Sequence, residues 1–165
     1  MQEIKIHQSL RHENIVRLHR VFEDDAHVYI IMELCENQTM MEYMKRKGRL
    51  TDAEAKPILL QLLAAMEYLH SNHVIHRDLK LGNLFLKAGP LVKLGDFGLA
   101  TMVYGEGDRK RTICGTPNYI APEIIAGGER GHSYEVDIWS FGVIMYTMLV
   151  GQPPFQRQEV KEIYE

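Results

Sequence analysis

Apolar positions change period several times along the chain, and each change marks an element. Ile4, Ile6 and Leu10 stand among charged and polar neighbours and predict a short helix over 2–10. The runs 15–22 and 27–34 follow, and Val28-Tyr29-Ile30-Ile31 is strongly β-prone. With the acidic turn Glu23-Asp24-Asp25-Ala26 between them, they predict two paired strands. A short helix is expected over 39–47, closed by Gly48. Next, Thr51-Asp52-Ala53-Glu54 reads as a capping box, in which the Thr and Glu side chains satisfy two free amides. The stripe Ala55, Ile58, Leu59, Leu62, Leu63, Met66 and Leu69 continues it as a long helix. Pro57 lies past the first turn of that helix and predicts a kink near 53–57.

Beyond His70 the pattern shortens. Residues 83–86 and 91–94 flank Ala88-Gly89-Pro90, as a hairpin would. Residues 96–118 carry Gly98, Gly105, Gly107, Gly115 and Pro117 and form a long loop, of a length that usually serves function. Helices resume over 122–126 and 134–150, with Ser133 as the expected cap of the second. The 19 residues 138–156 contain no Asp, Glu, Lys or Arg, which reaches the lower limit for a membrane helix. However, Gly151-Gln152-Pro153-Pro154 would end a helix early, and Ser140, Gly142 and Thr147 interrupt the run. The expectation is a helix buried on all sides.

Composition narrows this picture little. A chain of 165 residues, 45% hydrophobic and 25% charged, is about one domain and excludes disorder and a disulfide scaffold. The net charge of −3 gives no general attraction to nucleic acid or to an anionic membrane. Cys35 and Cys114 lie far apart without metal-ligand spacing, so a reducing setting is expected. The first residues lack an apolar core of signal-peptide length.

Chemistry enters with three signatures in order: His76-Arg77-Asp78-Leu79-Lys80-Leu81-Gly82-Asn83, then Asp96-Phe97-Gly98, then Ala121-Pro122-Glu123. Each tripeptide alone is weak, and Asp, Lys and Asn in loops are usually surface residues. The ordered set is far more specific. Phosphoryl transfer needs a group at the incoming hydroxyl, metal ions on the phosphates and positive charge near the transferred group. Asp78 suits the first role and Lys80 the third. Asn83 and Asp96 offer oxygen ligands to Mg²⁺.

On these residues the chain resembles eukaryotic protein kinases of the serine/threonine type, and among them the polo-like kinases. The resembling stretches include Met32-Glu33-Leu34-Cys35, residues 76–86, 95–101 and 114–123, and Val150-Gly151-Gln152-Pro153-Pro154-Phe155. The resemblance implies an α+β, two-lobed kinase fold: 1–33 as the remnant of the small lobe, 34–38 as the hinge, and 39–165 as the large lobe without its last helices. It implies ATP and Mg²⁺ as cofactors and proteins with Ser/Thr hydroxyls as substrates.

It also implies further roles. Glu3 would pair with a strand lysine, Met32 would stand as gatekeeper, and Glu33 and Cys35 would meet adenine through their backbone. Phe85 would floor the adenine site, although an ordinary core aromatic fits as well. His7, Leu18, His76 and Phe97 would form an apolar spine. Asp137 would brace the catalytic loop, and Glu123 would pair with an arginine further along. Residues 101–116 resemble an activation segment. There Thr112 matches the site of an upstream activating kinase, Arg77 is the partner for its phosphate, and Thr116 touches Asp78 and Lys80. Met102 stands where the family has a lysine, and 127–130 looks like an insertion. A monomer inside the cell, in the cytoplasm, nucleus or at the centrosome and spindle, is expected by resemblance only.

The sequence contains no glycine-rich phosphate loop and no Val-Ala-x-Lys strand. The expectation is therefore a piece of a polo-like kinase that is inactive alone. A non-catalytic binding module and a kinase of a neighbouring group stay open as alternatives. The sequence upstream of Met1 would discriminate the first two.

Overall fold

The structure, a computed structural model, describes residues 2–105 and 107–156. Helix α1 (Gln2–Ser9) leads into β1 (Leu18–Glu23) and β2 (Val28–Met32), an antiparallel pair. Their turn is closed by Asp24, whose carboxylate accepts the Ala26 and His27 amides, each at 2.8 Å. Helix α2 (Met40–Lys47) and the long α3 (Asp52–Ser71) follow, each opened by a Thr capping box. Helix α3 continues through Pro57.

Two short strand pairs organise the centre. Strand β3 (Val74–Ile75) pairs with β6 (Thr101–Met102), and β4 (Leu84–Leu86) pairs with β5 (Val92–Leu94). The β4–β5 hairpin was legible in the sequence, whereas β3–β6 was not, since two-residue strands carry no period. Residues 14–16 run beside β5, with the Val16 amide on the Leu94 carbonyl at 2.9 Å. Helices α4 (Pro122–Ala126) and α5 (Glu135–Val150) complete the described residues. The resemblance also implies the start of a further helix over 158–165, which lies outside the described residues.

One core joins these pieces. Ile6 of α1 and Leu10 just after it, Leu62, Met66 and Leu69 of α3, Leu84 and Leu94 of the hairpin, and Ile144 and Met148 of α5 are all buried in it. Burying one such side chain contributes about 1.5–3 kcal/mol. A smaller cluster gathers Ile75, Val103, Ile120, Ile124 and Val136. Gly95 marks the tightest approach near the site: an added Cβ would lie 2.8 Å from a Phe85 ring carbon and 3.0 Å from Val16. We expect Gly95→Ala to destabilise the fold by about 1–3 kcal/mol through overpacking. A lower urea midpoint at unchanged slope would register it.

Two expectations are corrected. Helix α5 is buried on one face only: Val136, Ser140, Val143, Ile144, Thr147 and Met148 point inward, while Ile138, Trp139, Met145, Tyr146 and Val150 are exposed. A lack of charge does not bury a helix without a partner on each side, and α3 covers one side here. Its hydroxyls are satisfied, since Ser140 donates to the Tyr119 carbonyl and Thr147 to that of Val143. Among the described residues no helix is long and apolar enough to cross a membrane. Secondly, Ser133 is not the cap of α5. Tyr134 holds that place, without a side-chain bond, and the first-turn carboxylate of Asp137 is turned toward the loop at 76–77 instead.

Candidate active site

Residues 76–83 cross from β3 to β4 and carry most of the site. Asp137, fully buried at the start of α5, holds this loop from behind. Its two oxygens accept the His76 and Arg77 amides, both at 2.9 Å, and the His70 imidazole at 2.9 Å. Arg77 has φ +65°, a region that costs a side-chain-bearing residue strain. Its hold on Asp137 and the bond from its Nε to the Leu99 carbonyl (2.7 Å) keep it there.

The turn of backbone directs Asp78 into a closed cluster. Lys80 Nζ donates to Asp78 Oδ2 at 2.6 Å and to Thr116 Oγ1 at 2.9 Å, and Thr116 Oγ1 donates to Asp78 Oδ1 at 2.7 Å. Asn83 Nδ2 donates to the Asp78 carbonyl at 2.9 Å and to its carboxylate at 3.2 Å. That leaves Asn83 Oδ1 as a lone oxygen ligand.

Asp96 is brought beside this cluster through the backbone. The amide of Gly95 donates to the Asn83 carbonyl at 2.9 Å, and the Gly95 carbonyl meets His76 Nε2 at 3.1 Å. The Asp78 amide donates to His76 Nδ1, so Nε2 carries the proton and the ring is neutral. Full burial pushes its pKa down, in agreement. Asp96 has φ +59°, and Oδ1 accepts the Gly98 amide at 3.2 Å. Two strained residues, Arg77 and Asp96, thus flank one centre, as functional sites often show.

Above them stand three rings. Phe97 lies 4.5 Å from His7 and 5.1 Å from His76, centroid to centroid. His7, on a helix of mixed polarity, is only 3% exposed, and its Nε2 meets the Val16 carbonyl at 2.6 Å. Burial pushes its pKa down. Leu18 is buried too. Glu3 faces the same turn: a Cβ added at Gly98 would lie 3.8 Å from its carboxylate.

The segment 33–38 joins β2 to α2 along one edge. Its chain is pinned to β4 by the Asn37 amide on the Leu86 carbonyl and the Leu86 amide on that of Gln38. Among the described residues, neither the Glu33 carbonyl nor the Cys35 amide has a hydrogen-bond partner. Met32 is half exposed, and the half-buried Phe85 ring closes over Gly95. The Glu33 side chain is engaged elsewhere. Lys87 and Lys93 each approach one of its oxygens at 2.9 Å, and the Arg17 amide adds a third bond.

Partial burial pushes the Glu33 carboxyl up, but the two ammonium groups and that amide outweigh it and hold the pKa at about 2. A lowered carboxyl contributes stability that is complete above about pH 4.5 and lost as pH falls toward about 2. Glu33→Gln is expected to flatten that part of the acid-unfolding profile. Urea midpoints at pH 7 and pH 3, compared between variant and parent, would check this. Neither lysine was singled out in the sequence, because nothing local links residues 54 and 60 positions away.

Other candidates are placed less tightly. Thr112 is exposed and makes no hydrogen bond to Arg77. Glu123 is half-buried beside Trp139 and Tyr146, with no ion pair among the described residues. Met102, in the place of the expected lysine, packs against the main core. Both cysteines are free thiols, and burial pushes their pKa values up, away from reactivity.

Strained loop, closed cluster and ring group surround one centre, on the residues that carry the resemblance to protein kinases. The chain belongs to that family: a family model, described as the protein kinase domain, matches residues 1–165. Within it the chain is closely related to the polo-like kinases. It is 56% identical over 163 residues to the Drosophila melanogaster serine/threonine-protein kinase polo, covering 99% of this chain and 28% of that protein. It is 56% identical to a probable serine/threonine-protein kinase, CCRP1, of Zea mays, over all of this chain and 26% of that protein. It is 53% identical to the Saccharomyces cerevisiae cell cycle serine/threonine-protein kinase CDC5/MSD2, again over the whole chain and 23% of that protein. The chain therefore spans about a quarter of the length of these relatives.

Proposed function

We propose that these residues carry the catalytic centre of a serine/threonine kinase of the polo-like kind, transferring the γ-phosphoryl group of ATP to protein hydroxyls. The observation that carries this reading is the closed cluster of Asp78, Lys80, Thr116 and Asn83 beside the strained Asp96. Asp78 receives the substrate hydroxyl and orients it or takes its proton. Lys80 places its ammonium where charge develops. Thr116 fixes both side chains and the nearby substrate backbone.

The oxygens of Asn83 and Asp96 fit a hard cation that completes its shell with phosphates and water. Magnesium, when bound with the nucleotide, neutralises phosphate charge. The free Glu33 carbonyl and Cys35 amide suit the adenine edge, with Met32 and Phe85 on either side of it. Glu3 is positioned for a strand lysine. His76 and Phe97 join the spine, Asp137 braces the loop, and Glu123 awaits a cation. Residues 1–33 then belong to a small lobe, 34–38 to a hinge and 39–165 to a large lobe. Thr112 is the site for an upstream activating kinase, with Arg77 as the phosphate partner. By relation to the polo-like kinases we place the chain inside the cell, as a monomer in cell-cycle signalling in the cytoplasm, in the nucleus or at the centrosome and spindle.

The 165 residues contain no phosphate loop and no strand lysine, both of which kinase activity needs. By themselves they are expected to give no phosphoryl transfer. Thermal unfolding with MgATP tests the reading. A chain with a phosphate loop and lysine strand placed ahead of Met1 should be stabilised, and these residues alone should shift less. Equal indifference of both chains to MgATP would overturn it.

A further inference from the structure

The glycine-rich loop 127–132 makes more bonds to the segment before Thr112 than a surface connection requires. Lys110 and His132 exchange both backbone hydrogen bonds, each at 2.8 Å, a one-step antiparallel ladder. The Arg109 guanidinium donates to the Arg130 carbonyl at 2.6 Å and the Gly131 carbonyl at 3.1 Å, and pairs with Glu135. Arg111 reaches the Glu129 carbonyl at 3.3 Å. The fit is tightest at Gly131. Its φ is +58°, and an added Cβ would lie 2.6 Å from the Lys110 carbonyl oxygen. Only a residue without a side chain lets the two backbones meet there.

A second anchor lies just beyond Thr112. Thr116 is bonded to Asp78 and Lys80, and Gly115 runs against the Arg77 carbonyl. Thr112 therefore sits in a short span between two fixed points, exposed. We propose that 127–132 is a strap that holds Arg109–Arg111 and so sets how Thr112 is presented, with Arg109 and Gly131 as its positioning residues. The strap acts before any phosphate is present. A phosphate on Thr112 would compete for Arg109 and Arg111 with main-chain carbonyls and Glu135. The proposal rests on reading this stretch as an activation segment.

Amide hydrogen exchange and limited trypsin digestion of the 165-residue chain, both without nucleotide, test it. In the parent the Lys110 and His132 amides should exchange well below the rate of Arg111–Ile113. Gly131→Ala should raise exchange at both amides, and cleavage after Lys110 and Arg111, by about tenfold or more. The β4–β5 amides should not change. Arg109→Gln should act alike, and Arg109→Lys, which keeps a cation for Glu135, should fall between it and the parent. Should Gly131→Ala loosen the whole chain, Arg109→Gln decides. A rise confined to residues 108–112 and 130–133 supports the strap, and no rise overturns it. Fast exchange of Lys110 and His132 in the parent overturns it too. A failed strap leaves MgATP binding untouched, so the two readings fail separately.

Discussion

Asp78→Asn is expected to lower phosphoryl transfer to a Ser/Thr peptide by about 10²- to 10⁴-fold, the usual size of a positioned acid–base contribution. It would be measured in a chain given a phosphate loop and strand lysine ahead of Met1. The structural reason lies in who donates to Asp78. Lys80, Thr116 and Asn83 all present hydrogens to its two oxygens. An amide has one acceptor oxygen, so its NH₂ must face a donor, and it can take no proton from an incoming hydroxyl. Binding of MgATP, which draws on other groups, should change little. A transfer rate within tenfold of the parent would remove Asp78 from the chemistry.

Asp137→Ala is expected to cost about 3–5 kcal/mol of folding stability, as when one partner of a buried charged network is removed. The carboxylate is fully buried and satisfies the His76 and Arg77 amides and the His70 ring. Alanine leaves all three without a partner, and each buried orphan carries its own penalty. Against a total of about 5–15 kcal/mol for a domain, the midpoint in urea should fall far. Asp137→Asn keeps one acceptor and should lie between the two. A loss below about 1 kcal/mol for the alanine variant would mean that water takes the place of the carboxylate. The same loop carries Asp78, so this variant should also loosen the site.

Much of the site was legible along the chain because its groups are close in sequence or sit in ordered signatures. Asp78, Lys80 and Asn83 span six positions, and the structure brings them together with Thr116. Asp137 was expected by resemblance beside the loop at 76–77, and its carboxylate accepts the His76 and Arg77 amides. His70 as a third partner was not seen, since 67 residues separate it from Asp137 and no local pattern links them. His7 shows the same limit from the other side. Its place in an apolar spine was expected by resemblance alone, since its polar neighbours carry no sign of burial, and its contact with Phe97 belongs to the tertiary fold.

What the sequence determined by itself is whatever contiguous residues encode: the capping boxes of α2 and α3, the stripe of α3, the two hairpins, and the order of the signatures. Tertiary structure alone decided which face of α5 is covered, that Glu33 turns its carboxylate to two lysines, that β3 finds β6, and that 127–132 grips the segment before Thr112. The physical difference is one of range. Caps and periodicity are set by neighbours within a turn or two, and their geometry follows from the backbone. Pairings across 20 to 70 residues depend on where the common core places each backbone.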